Sequence, residues 1–191
     1  MIDKSYYDDQ ASKFKDDPPS NFDSPRKESY IKFIIDHIKL DKNAAILLMA
    51  CGNDDEKKIF MRYGYKNITG IDLHPGNGIL KMDMHKLEFN NNRFDLISFS
   101  HSFEHTFDPG IVLKEVNRVL KPNGYICFEI PTHFKPNNID RFDFIDYKTL
   151  YEFVNKYFPA EIVYGKDFNH AEPENYCWGD CCKLVIKKVN K

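Results

Sequence analysis

The residues whose types and spacing could do chemistry sit in short blocks, each at the end of an apolar run. The clearest is Ile68-Thr69-Gly70-Ile71-Asp72-Leu73-His74-Pro75, where the run closes on one acid and then a turn. In a doubly wound sheet, an Asp at the carboxyl end of the second strand is placed to accept hydrogen bonds from both ribose hydroxyls of a nucleoside. Upstream, Ala50-Cys51-Gly52-Asn53 follows another apolar run, and residues this small let a ligand approach the backbone closely. Asp72-Leu73 would then hold the ribose, and Asp83-Met84 offers a carboxylate to an adenine amino group and an apolar face to its ring. Ser100-His101 closes a further run, with His105 four residues on and His133 after the next run. A histidine beside a reacting group is a general base, so His101 and His105 are the expected catalytic contacts and His133 the lesser one. His74 and His85 also follow strand ends, and Tyr6, Tyr7 and Arg141 are candidates to touch a substrate from an arm and a loop.

Two other chemistries share these residues. His101-Ser102-Phe103-Glu104-His105 reads H-x-x-E-H, a zinc-peptidase signature in which both histidines lie on one helix face and the Glu activates water. Its context is wrong for a long helix: a strand directly precedes it and Pro109 opens the next helix a few residues later. The five cysteines have no disulfide-framework spacing. Cys51 and Cys127 lie within apolar runs and read as core thiols. Cys177, Cys181 and Cys182, with His170 nearby, have a C-x3-C-C spacing that is not a familiar zinc pattern. They read instead as thiols packed on one face of a final strand, and no metal site is expected.

The elements that must position these groups alternate. Residues 1–24 are polar and read as an arm or lid, and Ser24-Pro25 opens a leading helix, 25–40. From 44 to 191 the chain reads as strands near 44–50, 67–72, 79–82, 94–100 and 125–130, with helices at 54–63, from Asp108-Pro109 to Lys121-Pro122, and 146–158. Strands near 160–164 and 182–189 finish it with no helix between them, so they are expected to pair antiparallel at one edge. The alternation argues for a single α/β domain, doubly wound and mostly parallel.

Composition narrows the partners. A net charge of −2, with no block of one sign, gives no electrostatic footprint for nucleic acid or an anionic membrane. No apolar run approaches a membrane span, and Met1-Ile2-Asp3-Lys4-Ser5-Tyr6-Tyr7 lacks the apolar core of a signal peptide, so a cytoplasmic location is expected.

The order of the blocks resembles class I S-adenosylmethionine-dependent methyltransferases from about residue 44 to 130. The resemblance rests on Ile46-Leu47-Leu48-Met49-Ala50-Cys51-Gly52, Thr69-Gly70-Ile71-Asp72, Asp83-Met84-His85, Phe94-Asp95-Leu96-Ile97 and the stretch Glu115 to Gly124. It implies a Rossmann-like sheet of about seven strands with an antiparallel terminal hairpin. It also implies S-adenosylmethionine as cofactor, contacted by Ala50, Cys51, Gly52, Asn53, Asp72, Leu73, Asp83, Met84 and Ser100. The expected reaction is methyl transfer to a small molecule or glycan precursor. A non-catalytic binding or scaffold domain and a zinc hydrolase are the other readings. Three features depart from the family. Its first loop is acidic-x-Gly-x-Gly-x-Gly, and those positions here hold Leu48, Ala50, Gly52 and Asp54. The missing acid normally orients the methionine end of the cofactor, and Asp54, Asp55 or Glu56 are the residues placed to compensate. Only about seven residues separate Asp72 from Ile79, too few for a helical crossover, which would leave the ribose side more open. The chain after Ile130 carries no recognised substrate motif.

Overall fold

The computed structural model describes residues 4–16, 24–172, 177 and 179–189; the rest of the expected arm, residues 1–3 and 17–23, lies outside them. The elements run α1 (Lys4–Asp16), α2 (Ser24–His37), β1 (Ala45–Met49), α3 (Asp55–Arg62), β2 (Asn67–Asp72), β3 (Leu80–Lys81), β4 (Phe94–Ser100), α4 (Pro109–Val119), β5 (Leu120–Pro131), α5 (Tyr147–Asn155), β6 (Ala160–Phe168) and β7 (Cys181–Lys188). Local chemistry starts the later helices where the sequence marks them. Asp108 caps α4 by accepting from the Gly110 and Ile111 amides ahead of Pro109, and Asp146 caps α5 through the Thr149 amide.

The seven strands form one sheet in the order β3-β2-β1-β4-β5-β7-β6. β1 pairs in parallel with β2 and β4, β3 with β2, and β5 with β4, whereas β7 runs antiparallel to both β5 and β6. The mixed sheet with its antiparallel terminal hairpin is the fold expected from the sequence. No helix joins β2 to β3. Gly70 permits the close packing this short link requires, because a Cβ there would lie 2.5 Å from Ile79 Cδ1 and 2.8 Å from Cys51 Sγ.

Several boundaries differ from expectation: α2 ends at His37 and not at 40, α5 at Asn155 and not at 158, and β6 runs on to Phe168. β5 begins at Leu120, not Tyr125: Leu120 pairs with Phe94 and Tyr125 with Leu96, so Lys121–Gly124 bulges out of the ladder around a left-handed Asn123. α4 ends at Val119, ahead of the Lys121-Pro122 stop expected from the sequence, and strand pairing begins at the next residue. The cysteines of β7 do not share a face. Cys182 packs in the α4/α5 core, and its neighbour Cys181, buried on the other side, is in hydrogen-bond contact with Cys177. Adjacent residues in a strand point to opposite faces, so the C-C pair could not do otherwise.

The two faces of the sheet are covered differently. Leu47, Met49, Ile97, Phe99, Ile126, Phe128 and Ile130 pack with α4 and α5 into the larger core. Ile46, Leu48, Leu96 and Cys127 pack with Tyr30, Ile31, Ile34, Ile59 and Phe60 of α2 and α3 into the second. This second face changes character toward the carboxyl edge. Along β4 it reads Leu96, Ser98, Ser100, and the helix above matches it turn by turn with Ile34, Tyr30 and Arg26. Tyr30 accepts from Ser98 Oγ (3.3 Å) and donates to the Phe99 carbonyl (3.0 Å), and Arg26 donates to Ser100 Oγ (3.0 Å). No helix among the described residues is long and apolar enough to cross a membrane.

Candidate active site

Strand order reverses at β1 and β4, and a crevice opens there beyond the carboxyl ends of the strands, where ligands bind in sheets of this kind. The cavity encloses about 410 Å³, within the range of small-molecule sites. Its lining comes from the ends of β1, β2, β4 and β5, from α1 and the first turns of α2 and α3, and from the loops after β3, β5 and β6. Ala50 and His101, just past β1 and β4, and His133, two residues past β5, are left-handed, with φ of 48°, 49° and 58°. Non-glycine residues adopt this conformation rarely, and it turns the chain sharply at the three strand ends that face the crevice.

On the β1–β2 side the polar groups are backbone and one carboxylate. Asp72 is buried. One carboxylate oxygen accepts from the Gly52 amide and the other from the His74 amide, both at 2.8 Å, which fixes the side chain at the cavity wall. Gly52 is left-handed (φ 67°), and a Cβ there would meet nothing within 4 Å, so any side chain would intrude on open space beside Asp72. The loop after β2 does not leave this side bare: the Gly76 amide donates to the Gly52 carbonyl at 2.7 Å, and Leu73 and His74 line the cavity. Ala50, Cys51, Met84 and Ser100 line it as well.

Two expected cofactor contacts are not in the lining. Asn53 turns its side-chain oxygen to the Asp55 amide (3.1 Å) and Lys27 Nζ (3.4 Å). Asp83 accepts from Tyr7 Oη (2.7 Å), the His85 amide (2.8 Å) and His85 Nδ1 (2.7 Å). Burial pushes the Asp83 carboxyl up, but the bonds from His85 and Tyr7 outweigh it and hold the group below its ordinary range. His85 Nε2 accepts from the Phe107 and Asp108 amides, so this histidine ties the loop after β3 to the start of α4. Tyr6 packs edge-on against His85 and Phe107 and does line the cavity; Arg141 lies over the Tyr6 and Phe107 rings instead of facing it.

On the β4–β5–β7 side the cavity rests on buried charge. The ladder aligns Ser100 with Glu129 and Glu129 with Lys183, one polar row across three strands. Glu129, 1 % exposed, accepts from Arg26 at 2.7 Å and pairs with Lys183 at 3.3 Å; His101 Nε2 lies 3.9 Å away. Lys27 reaches Asp55 at 3.4 Å, and Glu56, 3 % exposed, hydrogen-bonds with Ser100. Burial pushes the Glu56 carboxyl up to about 7 even though Arg26 and Lys27 pull it down. Arg26, Lys27 and Glu56 all line the cavity.

His105 lies at the opposite wall. Its Nδ1 is 3.0 Å from Asp140 Oδ1 and 3.3 Å from the Ile139 carbonyl, and Nε2 is 3.7 Å from Glu104 Oε1. His101 Nε2 is 3.3 Å from Cys177 Sγ, whose proton is held by the hydrogen bond with Cys181 and by burial. His133 is exposed, outside the lining, with its amide on Asp143. The H-x-x-E-H stretch forms one 3-10 turn, Phe103–His105, and His101 lies outside it, so the helix-borne zinc pair is not formed. His101, Glu129 and Cys177 do come within 4.8 Å of one another, but Glu129 already carries two buried cations, which oppose a metal ion there.

Sequence reasoning missed Arg26, Lys27, Glu129, Lys183 and Asp140. One signal was available: Glu129 and Lys183 are charges inside apolar runs, which marks partnered burial. Asp140 had none, being one of several acids in a polar loop.

The sequence pattern of the family described as "Methyltransferase domain" matches residues 47–128, from β1 to β5. That stretch is similar to this family, and the fold of the chain is of the class I methyltransferase kind. Across 155 residues, 70 % of the chain, it is 26 % identical to the sterol 4-C-methyltransferase strm-1 of Caenorhabditis elegans. Across 65 residues, 34 % of the chain, it is 40 % identical to the demethylmenaquinone methyltransferase of Staphylococcus carnosus. The chain spans 45 % and 24 % of the lengths of these relatives, less than half of each. In structure the chain is similar to the 1,6-didemethyltoxoflavin-N1-methyltransferase of Burkholderia thailandensis, solved with S-adenosylhomocysteine (TM-score 0.72, 16 % identity, 96 % of this chain and 87 % of that one). It is similar also to a SAM-dependent methyltransferase of Methanosarcina mazei (TM-score 0.65, 16 % identity, 83 % and 98 %). At this identity the likeness is one of fold.

Proposed function

We propose that the protein transfers a methyl group from S-adenosylmethionine to a small-molecule acceptor, a glycan precursor or another polar metabolite. The observation that carries this reading is Asp72, locked by two backbone amides at the wall of a cavity at the topological switch point, beside a glycine whose missing side chain leaves room for a ligand. Asp72 would accept from the ribose hydroxyls, Leu73 and Met84 would flank the base, and Ala50–Gly52 would pass beneath. When bound, the cofactor supplies a methyl group already activated for displacement, which leaves the protein to align the acceptor and manage its proton. His105 suits the second task. Its Nδ1 proton is donated to Asp140, so Nε2 is the basic nitrogen, and the Asp140 carboxylate stabilises the imidazolium formed when a hydroxyl or ammonium acceptor gives up its proton. His101, held by Cys177 and near Glu129, is the second candidate to touch the acceptor.

Calorimetric titration with S-adenosylhomocysteine tests the cofactor. Asp72→Ala is expected to weaken binding tenfold or more, since a charged acceptor of this kind contributes about 1.5–3 kcal/mol. Unchanged affinity would sink the ribose assignment. With an acceptor in hand, His105→Ala is expected to lower turnover about a hundredfold or more while leaving cofactor affinity within a few-fold. An unchanged rate would leave His105 with a structural role only. A second reading, binding without turnover, rests on Leu48, whose side chain is wholly in the core where the family has an acid. Tight cofactor binding with no methyl transfer across a broad acceptor screen would favour it.

A further inference from the structure

We propose that Glu56 takes over the task of the acid missing at Leu48, receiving the ammonium of the cofactor's amino-acid end while Arg26 and Lys27 face its carboxylate. This rests on S-adenosylmethionine being the cofactor. Leu48 pairs with Gly70 and Ser98 in the sheet, and its side chain is buried in the core under α2 and α3. An acid could not work from there without being drawn into that core. Glu56 enters on the same face of the sheet, from the first turn of α3, and reaches the cavity that Leu48 does not. The other two acids at this helix start are committed elsewhere: Asp54 pairs with Lys58 on the surface at 2.7 Å, and Asp55 with Lys27 at 3.4 Å. Neither lines the cavity.

The surroundings of Glu56 match a zwitterion rather than a simple ion. A carboxyl and two cations converge on one end of the cavity, from adjacent first turns of α2 and α3. Ser100 couples them, accepting from Arg26 and hydrogen-bonding with Glu56. Glu129 lies behind and holds Arg26 in place at 2.7 Å, with Lys183 balancing Glu129 from β7. A ligand carrying both an ammonium and a carboxylate meets the carboxyl and the two cations at once, with Arg26 and Lys27 keeping Glu129 and Asp55 as their partners, whereas a lone cation or anion meets only one of the two. Burial that holds Glu56 near neutrality fits a group that ionises fully when an ammonium arrives.

The test compares two ligands that share the adenosine end: S-adenosylhomocysteine, which carries the amino-acid end, and 5′-methylthioadenosine, which lacks it. Titration calorimetry at pH 8 is expected to show that the wild-type protein prefers S-adenosylhomocysteine. Glu56→Gln is expected to lose about tenfold of affinity for S-adenosylhomocysteine and to hold 5′-methylthioadenosine within twofold. Lys27→Met should shift the preference the same way. Because 5′-methylthioadenosine reports the adenosine half independently, its retained binding also shows that the variant pocket is folded. An unchanged ratio between the two ligands in Glu56→Gln overturns the proposal and leaves the cofactor assignment standing. Equal loss of both ligands overturns it too, since Glu56 would then serve the fold. Binding of neither ligand by the wild type overturns the cofactor assignment and this proposal with it.

Discussion

The sheet has two faces that begin alike and end differently. Under α4 and α5 the face stays apolar to its carboxyl edge, closing on Met49, Phe99 and Ile130. Under α2 and α3 it is apolar for half its depth and then turns polar and charged within two residues of each strand: Leu96, Ser98, Ser100 on β4; Cys127, Glu129 on β5; Val185, Lys183 on β7. Both edges are buried, so solvent does not explain the difference. The apolar edge is a support. The charged edge lies behind the cavity: Ser100 lines it, and Glu129, paired with Lys183, holds Arg26, which lines it too. The lesson is that the loops and helix starts supply most of the cavity lining, and the charged row of the sheet supports it from behind.

Breaking the row at its centre should have the largest effect. Glu129→Ala would leave Arg26 and Lys183 buried without their shared carboxylate, and removal of one partner of a buried pair costs about 3–5 kcal/mol. Ile130→Val, one residue along on the opposite face, should cost about 0.5–1.5 kcal/mol. Urea denaturation of the two variants against wild type measures the contrast. Similar costs would mean that the charged row is no more than ordinary packing.

Glu56 allows a finer cut by pH. Its folded-state carboxyl titrates near 7 against an ordinary 4.5, so between those values the folded protein binds more protons than the unfolded chain. Stability from this group is therefore complete below about 4.5 and lost as pH rises through 7, a decline of roughly 3 kcal/mol. The groups that face it are Arg26 and Lys27 of α2, Ser100 of β4 and Glu129 of β5. Glu56→Gln has no such titration, so its stability relative to wild type should rise by about that amount from pH 4.5 to pH 8. Parallel curves would show that Glu56 is not held neutral by burial.

How much of this was legible in the chain follows from what kind of contact makes each part. Asp72, Gly52 and the strand ends were readable because the run-then-turn pattern is local. β2 and β4 fall where the apolar runs place them. The start of β5 was not, because Lys121–Gly124 carries a turn signal and only the pairing of Leu120 with Phe94 shows that the strand has already begun. Asp83 has the right position in sequence for a base contact, yet Tyr7, 76 residues away, claims its second oxygen. Glu56 was one of three adjacent acids, and nothing local distinguishes the one that turns inward. The charged row joins residues 26, 100, 129 and 183, and its meaning exists only after the ladder sets Ser100 beside Glu129 beside Lys183.

The smallest effect, and the sharpest test of a graded face, is at Tyr30. It lies one helical turn below Arg26 and one below it is Ile34, so it occupies the step between charge and oil. Its hydroxyl accepts from Ser98 and donates to the Phe99 carbonyl. Tyr30→Phe keeps the ring and strands both partners, which should cost about 1–2 kcal/mol. Ser98→Ala alone should cost less, because Tyr30 keeps its bond to Phe99. In the Tyr30→Phe background, Ser98→Ala should cost nothing or recover stability, since the serine hydroxyl has by then lost its acceptor. That coupling, read from a double-mutant cycle, distinguishes a polar step built for the edge above it from two hydroxyls that happen to be near. Additive costs would mean that the polarity of this face stops at Ser100 and that only the outermost row belongs to the site.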